Sequence, residues 1–238
     1  MPDISTQDYY DRFAANYERE RHHGYHQLVD ELELELVRRH GTGRDIVEAG
    51  CGTGLLLREA ARVGRSALGL DLSRGMLGPA HRRGLRVVQG SLTSLPLRSA
   101  SVDLVYSMKV LAHVPPIREA IAELVRIVRP GGHLPLEFYN PRSLRYLAKK
   151  LAGPGAIAAD TRESDVFTRY DSEAQARTYL PAGVEVIGMR GVRVVTPTSR
   201  VFDFAPLGRL FAAAEHAACD APFLRQLGGF LILVVRKS

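Results

Sequence analysis

Asp45-Ile-Val-Glu-Ala-Gly50-Cys-Gly52-Thr-Gly54 is the stretch that decides the fold. A short apolar run leads into three glycines at alternate positions, and Leu55-Leu-Leu-Arg-Glu-Ala-Ala-Arg-Val63 then follows helical spacing. Strand, glycine turn and helix in that order form the first half of a βαβ unit. Glycine lets the backbone turn sharply and removes the side chain that would hold a ligand away. The turn sits at the carboxyl end of its strand, where open parallel sheets bind ligands. A dinucleotide fingerprint would place its third glycine at position 55, which here is Leu55. The spacing therefore disfavours a nicotinamide cofactor. The competing reading is a turn that needs glycine for its shape alone.

Moving outward, the alternation continues. Ala67-Leu-Gly-Leu-Asp71 reads as a second strand and residues 73–83 as a second helix; residues 85–89 and 102–107 read as the third and fourth strands, and residues 116–128 as a helix. Arg129-Pro-Gly-Gly132 reads as a turn before a fifth strand, His133-Leu-Pro-Leu-Glu-Phe-Tyr139, in which Pro135 predicts a bulge or a local edge. Such alternation predicts a parallel sheet with helices on both faces. Residues 5–40 read as helical, amphipathic over 26–37, and are expected to form an N-terminal lid over 1–40. Residues 141–180 break the pattern with a basic helical piece over 143–151, a Gly153-Pro-Gly155 turn and a polar stretch, and are expected to form a substrate-lid insertion. The sheet resumes over 184–195 and 228–237, with a helix near 207–218 between. The binding domain is thus expected over 41–140 and 181–238.

Composition narrows the class. The 238 residues are 45% hydrophobic, ordinary for a soluble protein with a full core. The polar start Met1-Pro-Asp-Ile-Ser-Thr-Gln-Asp shows no secretory pattern, and the longest apolar run, 230–235, is far short of a membrane helix, which needs about 20 residues; a cytoplasmic location is expected. Cys51 and Cys219 are too few for a disulfide framework. The formal charge of +6 comes from 28 Arg and 4 Lys dispersed along the chain, never more than two in a row. Compact basic patches with interleaved aromatics are absent, so nucleic acid is not the expected partner. A small-molecule acceptor is, for a monomer or homodimer.

Several residues carry chemistry. Asp71 ends the second strand, where a carboxylate can accept both hydroxyls of a ribose; its alternative role is to cap the helix that follows. In the cluster Arg21-His-His-Gly-Tyr-His26, His22 and His26 fall at helical metal-ligand spacing, but Gly24 between them weakens the helix and no carboxylate partner is evident; contact with substrate from a lid is the other reading of the cluster. Arg142, Arg145 and Arg169 could attract an acidic acceptor or be solvated.

Glu48-Ala-Gly-Cys-Gly-Thr-Gly54, Gly69-Leu-Asp-Leu-Ser73 with Met76, residues 92–107, Leu111-Ala-His-Val-Pro115 and Leu124-Val-Arg-Ile-Val-Arg-Pro-Gly-Gly132 together resemble the ordered motifs of class I S-adenosylmethionine-dependent methyltransferases, in their quinone-biosynthesis and small-molecule branch. The resemblance covers residues 8–140 well and the last two strands more loosely. It implies a Rossmann-like seven-stranded sheet of order 3-2-1-4-5-7-6 with the last strand antiparallel. S-adenosylmethionine would be the cofactor and S-adenosylhomocysteine the product. Gly50, Cys51 and Gly52 would line its methionine part, Asp71 would hold its ribose, and Leu72 and Met76 would pack near its adenine, with Glu48 and Gly54 of the same motif also cofactor-binding. Gly90-Ser91-Leu92 matches a loop that usually carries an acid for the adenine amine; here Ser91 replaces the acid. Ser107 and Met108 would face the sulfonium, and Tyr17 would cover the methionine end with Tyr10 and Phe13 as neighbours. Tyr139 and Asn140 would line the acceptor pocket.

His113 is the acid–base candidate, since its ordinary pKa suits taking a proton from a hydroxyl near neutrality; the alternative is a packed histidine. Ubiquinone-type relatives carry two glutamates beside this histidine as a metal site. Lys109 and Ala112 stand there in this chain, so no metal is expected. The tetrad of adenine-amine methyltransferases and the nucleophilic Cys of cytosine enzymes are both missing. The expected reaction is in-line methyl transfer to a phenol, enol or amine. Competing readings are a non-catalytic cofactor-binding partner protein and an RNA or protein methyltransferase.

Overall fold

The computed structural model describes residues 6–14, 17–19, 21, 23–143, 146, 156–158, 161–162 and 167–238. One sheet is built from β1 (Asp45–Ala49), β2 (Ser66–Asp71), β3 (Val87–Gln89), β4 (Val102–Tyr106), β5 (Val128–Tyr139), β6 (Val184–Val192) and β7 (Phe230–Lys237), in the order β3-β2-β1-β4-β5-β7-β6. The first five strands are parallel, and β7 runs antiparallel to β5 and β6. This is the order and sense expected from the sequence. The helices are α1 (Thr6–Phe13), α2 (His23–Gly41), α3 (Leu55–Val63), α4 (Arg74–Arg82), α5 (Ile117–Ile127), α6 (Glu173–Arg177) and α7 (Ala205–Ala218).

Side-chain alternation along the central strands makes a three-layer core. Val47, Ala49 and Val105 pack with Ile117, Ala120, Ile121 and Leu124 of α5, whose i, i+3, i+4, i+7 spacing forms one apolar stripe. Ile46, Leu104 and Tyr106 turn to the opposite face, against Leu32 and Leu36 of α2 and Leu56 and Ala60 of α3. Each fully buried Leu or Ile contributes roughly 1.5–3 kcal/mol relative to exposure. Both faces of β1 and β4 are thereby covered, and the carboxyl ends of the strands form the remaining concave surface.

The structure departs from the sequence reading in several places. The helical stretch expected over 5–40 is two helices, with the break between Phe13 and His23. Gly24 nevertheless lies inside α2. A Cβ there would stand 2.7 Å from Phe202 Cβ, so glycine admits the 3-10 turn Ser199–Asp203 against the helix. Arg129 to Gly132 is no terminal turn but part of β5: Val102 pairs with Val128 and Leu104 with His133, so the residues between bulge from the ladder. The bulge expected at Pro135 is therefore displaced. Pro135 stays in register opposite Val234 of β7, and its carbonyl accepts the Ser107 N–H at 3.1 Å. Its missing N–H leaves a single gap on the β4 side.

Strand β6 stops at Val192, three residues early, because Arg193 takes a left-handed φ of 60°. Ala156–Ala158 and Thr161–Arg162 pair as two short antiparallel strands. The helical piece expected over 143–151 falls largely, and the Gly153–Gly155 turn, His22 and Arg145 wholly, outside the described residues. No helix among the described residues is long and apolar enough to cross a membrane.

Candidate active site

A cavity of about 580 Å³ lies at the carboxyl ends of β1, β2, β4 and β5. The glycine turn forms its floor, and two of its glycines serve different ends. A Cβ on Gly50 (φ 84°) would stand 2.2 Å from Val110 Cγ2, so packing within the protein demands glycine. At Gly52 (φ 53°) a Cβ would meet nothing nearer than Met76 Cε at 4.0 Å. The backbone conformation needs glycine there, and the space above it is open to a ligand.

Asp71 is held by backbone donors from two segments. Its Oδ1 accepts the Ser73 N–H at 2.9 Å and its Oδ2 accepts the Gly52 N–H at 2.8 Å. Burial pushes its carboxyl above the usual range, against those hydrogen bonds. Each oxygen retains a further lone pair for a ligand hydroxyl. The cap of α4 comes instead from Ser73, whose Oγ accepts the Met76 N–H at 3.0 Å, and from Asp11 of α1. Asp11 Oδ1 accepts from Ser73 Oγ at 2.5 Å and from the Gly75 N–H at 2.7 Å.

Across the cavity stand the aromatic rings of the N-terminal segment. Tyr10, Phe13 and Tyr17 all line it, with Phe13 and Tyr17 edge-to-face at 5.6 Å. Tyr10 stands 6.1 Å from the His113 ring, and burial raises its phenol pKa well above the ordinary value. Ser91, the replacement for the usual acid, is engaged with its own turn. It shares a 2.8 Å hydrogen bond with Thr93 Oγ1, and its Oγ accepts the Thr93 N–H. Thr93 lines the cavity beside it, so two hydroxyls stand where one carboxylate would.

His113 closes the 3-10 turn Leu111–His113 after β4. Its Nδ1 lies 3.0 Å from the Phe167 carbonyl and 3.2 Å from Thr168 Oγ1. A carbonyl only accepts, so Nδ1 carries the proton and Nε2 keeps its lone pair. Nε2 faces the Tyr139 hydroxyl at 3.5 Å, within the cavity wall.

Lys109 follows in the left-handed region, φ 61°. Its Nζ reaches both oxygens of Glu33 at 2.6 Å and Asp30 at 3.5 Å, while Glu137 Oε1 accepts its N–H at 3.0 Å. Burial lowers the Lys109 pKa, but Glu33, Asp30 and Glu137 more than reverse this and hold it charged. Burial raises Glu33 and Glu137, in Glu137 reinforced by the charge of Glu33. Glu137 Oε2 is buried with no donor among the described residues and lies against the Glu33 carboxyl. A proton on Glu137, donated to Glu33, satisfies both. Glu48 accepts the Tyr106 hydroxyl at 2.9 Å and is also raised by burial.

Of the site residues expected from sequence, the cavity brings together Tyr10, Phe13, Tyr17, Glu48, Gly50, Cys51, Gly52, Asp71, Leu72, Met76, Ser91, Leu92, Met108, His113 and Tyr139. Four lie off it. Gly54 is the left-handed residue before α3, packed on Leu85 and Ala80. Gly90 packs on Pro96 and Leu70. Ser107 spends its hydroxyl on the Ala49 carbonyl. Asn140 Nδ2 donates to the Gln226 and Gly228 carbonyls, and its Oδ1 accepts the Arg142 N–H. Arg142 and Arg169 are likewise off the cavity, while His26 lines it. Among the described residues no three His, Cys, Asp or Glu side chains group as metal ligands. The sequence reading missed Tyr9, Tyr170, Arg193 and Phe230 as lining residues, and of these only Tyr9 carried a signal, as the neighbour of Tyr10; Arg21 and Tyr25, from the cluster around His26, line the cavity as well.

Comparison with known proteins gives one consistent result. A family model described as a methyltransferase domain matches residues 47–136. A protein of Mycolicibacterium smegmatis, "Probable S-adenosylmethionine-dependent methyltransferase", is 34% identical over 201 residues, 83% of this chain and 74% of that one. A malonyl-(acyl-carrier protein) O-methyltransferase of Pectobacterium atrosepticum is 38% identical over 177 residues, covering 74% of this chain and 60% of its own. A crystal structure from Thermotoga maritima, an S-adenosylmethionine-dependent methyltransferase and possible histamine N-methyltransferase, shares the fold at a TM-score of 0.69 and 21% identity, over 98% of this chain and 100% of that one.

Proposed function

Because this chain belongs to the S-adenosylmethionine-dependent methyltransferases, we propose that it methylates the oxygen of a small phenol or enol, with His113 as the base that takes the hydroxyl proton. The observation that carries this reading is the 3.0 Å contact of His113 Nδ1 with the Phe167 carbonyl, which assigns the proton to Nδ1 and leaves Nε2, on the cavity side beside Tyr139, as the nitrogen that can accept one. An amine that is already neutral attacks with its own lone pair and would need no such base.

The residues present fit the cofactor. The space above Gly52 admits it without a side chain in the way, and Asp71 offers a carboxylate for its ribose. Leu72, Met76, Ser91 and Leu92 would hold its adenine end, and Glu48, Gly50, Cys51, Gly52, Met108 and Tyr17 its methionine end. When bound, S-adenosylmethionine supplies a sulfonium methyl that is already electrophilic. What remains for the protein is alignment and exclusion of water, which in favourable cases lowers a barrier by about 7–11 kcal/mol. The rings of α1 and the 141–180 insertion are the parts we assign to covering the site. Tyr139, Tyr10 and Tyr170 form the acceptor wall around His113, and Nε2 accepts the proton as the acceptor oxygen loses it. Cys51 takes no part as a nucleophile, since burial pushes its thiol pKa up.

The test combines calorimetric titration with S-adenosylmethionine and turnover on a phenol panel from pH 6 to 9. His113→Ala is expected to keep cofactor affinity and lose 10²–10⁴-fold in kcat, the usual scale of general-base catalysis. Full turnover by His113→Ala across that range sinks the base role. No turnover of any phenol by the wild type, with the cofactor bound, sinks the acceptor class.

A further inference from the structure

The loop that leaves β4 delivers Met108, Val110 and His113 to the cavity wall. Its course is set at Lys109, whose backbone takes the left-handed φ of 61°. A non-glycine residue persists there only where its surroundings hold it, and such residues cluster at functional sites. Just before the turn, Ser107 is bridged to β5: its N–H donates to the Pro135 carbonyl at 3.1 Å and its carbonyl accepts the Glu137 N–H at 3.0 Å. The side chain of the same Glu137 accepts the Lys109 N–H at 3.0 Å. Just after the turn, Val110 rests on the glycine floor, where a Cβ at Gly50 would stand 2.2 Å from its Cγ2. The His113 N–H then closes on the Val110 carbonyl at 2.8 Å. An unbroken series of backbone contacts therefore runs from β5 through Lys109 to His113.

The Lys109 side chain ties this loop to two further elements. Its Nζ meets both oxygens of Glu33 at 2.6 Å and Asp30 Oδ1 at 3.5 Å. Both acids belong to α2, the helix whose His26 and Val29 line the cavity. Asp30 gives its other oxygen, Oδ2, to Arg21. Arg21 in turn donates to the Tyr17 hydroxyl at 3.2 Å, on the ring that lines the cavity from the N-terminal segment. One carboxylate thus joins a cation of that segment to the cation of the His113 loop.

Buried ion pairs are weak sources of net stability, because apolar groups of similar volume often serve the fold as well or better. What a buried pair does enforce is geometry, since any displacement leaves an ion where nothing solvates it. Glu33 is fully buried, so the Lys109 ammonium has one place to be.

We propose that Lys109 is a positioning residue for methyl transfer: anchored by Glu33 and Asp30, it fixes the loop that presents His113, and through Asp30 it joins that loop to the segment carrying Tyr17. It acts on the reaction through His113. This rests on the reading of His113 as the base.

The test is the double variant Lys109→Met/Glu33→Gln. It removes both charges and leaves an amide that can still pair with Glu137, so its Tm is expected close to that of the wild type. The first readout is imidazole nitrogen NMR of the protein saturated with S-adenosylhomocysteine, with His113 assigned by the signal lost in His113→Ala. Wild-type His113 is expected as the single Nδ1-protonated tautomer, and the double variant as a mixture of tautomers. The second readout is kcat at pH 8 on catechol and on 4-nitrocatechol, which is already ionised at that pH and needs no base. The double variant is expected to lose at least tenfold on catechol and less than threefold on 4-nitrocatechol, with cofactor affinity within threefold. A double variant of wild-type Tm that keeps the single tautomer and full kcat makes Lys109 merely structural and overturns the proposal, as does an equal loss on both catechols. Asp30→Asn, on a side chain 20% exposed, decides the case if the double variant does not fold: an unchanged tautomer there overturns the proposal. A wild type that methylates neither catechol counts against the phenol reading, while the tautomer comparison still decides Lys109. A wild-type His113 that is already a mixture overturns the base reading and the positioning role together.

Discussion

The two ends of the sheet treat carboxyl groups in opposite ways. At the amino ends of the strands, Asp45 accepts from Arg65 and Ser66 and lies beside Arg129, and its pKa is driven well down, the Arg65 contact leading. Asp103, raised by partial burial, is carried below its usual value by the Asp45 N–H and Arg129. At the carboxyl ends, Glu33, Glu48, Asp71 and Glu137 are all raised, with burial leading in each. One end brings opposite charges together near water, which favours the folded chain cheaply. The other removes acids from water around a cavity, a cost the fold carries where it binds. A cavity lined by reluctant carboxyls welcomes positive charge, and a sulfonium cofactor carries it.

The sharpest way to break this contrast is Lys109→Met, which leaves Glu33 and Glu137 buried without their cation. Loss of one partner from a buried ion pair costs about 3–5 kcal/mol, so chemical denaturation should show a drop of that order. Glu137→Gln, which preserves a donor to Glu33, should shift the midpoint far less; an equal loss would refute the shared proton. Next in size is Asp71→Ala. It removes the proposed ribose acceptor and strands the Gly52 and Ser73 N–H groups, and should weaken S-adenosylmethionine on the order of 100-fold, about 2.7 kcal/mol. Calorimetry that finds less than a threefold change would make Asp71 a loop cap only.

At the opposite end, His40 stacks on His133 at 4.6 Å. Burial, then the neighbouring His133, lowers the His40 pKa to about 4. A histidine lowered on folding contributes stability above its unfolded pKa of about 6.5, and that stability is lost as pH falls through the folded value. Tm should therefore decline from pH 6.5 toward pH 4, and His40→Gln should flatten that decline. The smallest effect belongs to Asp45→Asn. Exposed ion pairs contribute about 0–1 kcal/mol each, so Tm should fall by a few degrees while kcat/KM stays level. A large loss of activity would mean that the two ends are coupled.

Much of the frame was legible because it is written locally. Gly50, Gly52 and Asp71 are set by a strand, its turn and the next strand tip, all within a few residues of an apolar run. The limits of that reading are also local. Spacing alone did not tell which side of a turn faces the cavity, so Gly54, Gly90, Ser107 and Asn140 were grouped with the site although they brace it from behind. Lys109 reaches Glu33 across 76 positions, and the backbone just after Arg193 is held by Glu215 of α7, whose carboxylate accepts the Val194, Val195 and Thr196 N–H groups. No periodicity encodes either. The left-handed backbone of Lys109 and Arg193 was invisible for the same reason, since neither residue type announces it.

Helix α4 does not own its first turn. One of its capping acceptors, Asp11, comes from α1, 64 positions before the Gly75 amide that it receives. That amide is shielded only while the chain's opening helix is docked. Its hydrogen-exchange rate therefore clocks the departures of α1 at a free energy below that of global opening, while amides in the central strands stay silent. A single proton reports how often this end of the cavity uncovers itself.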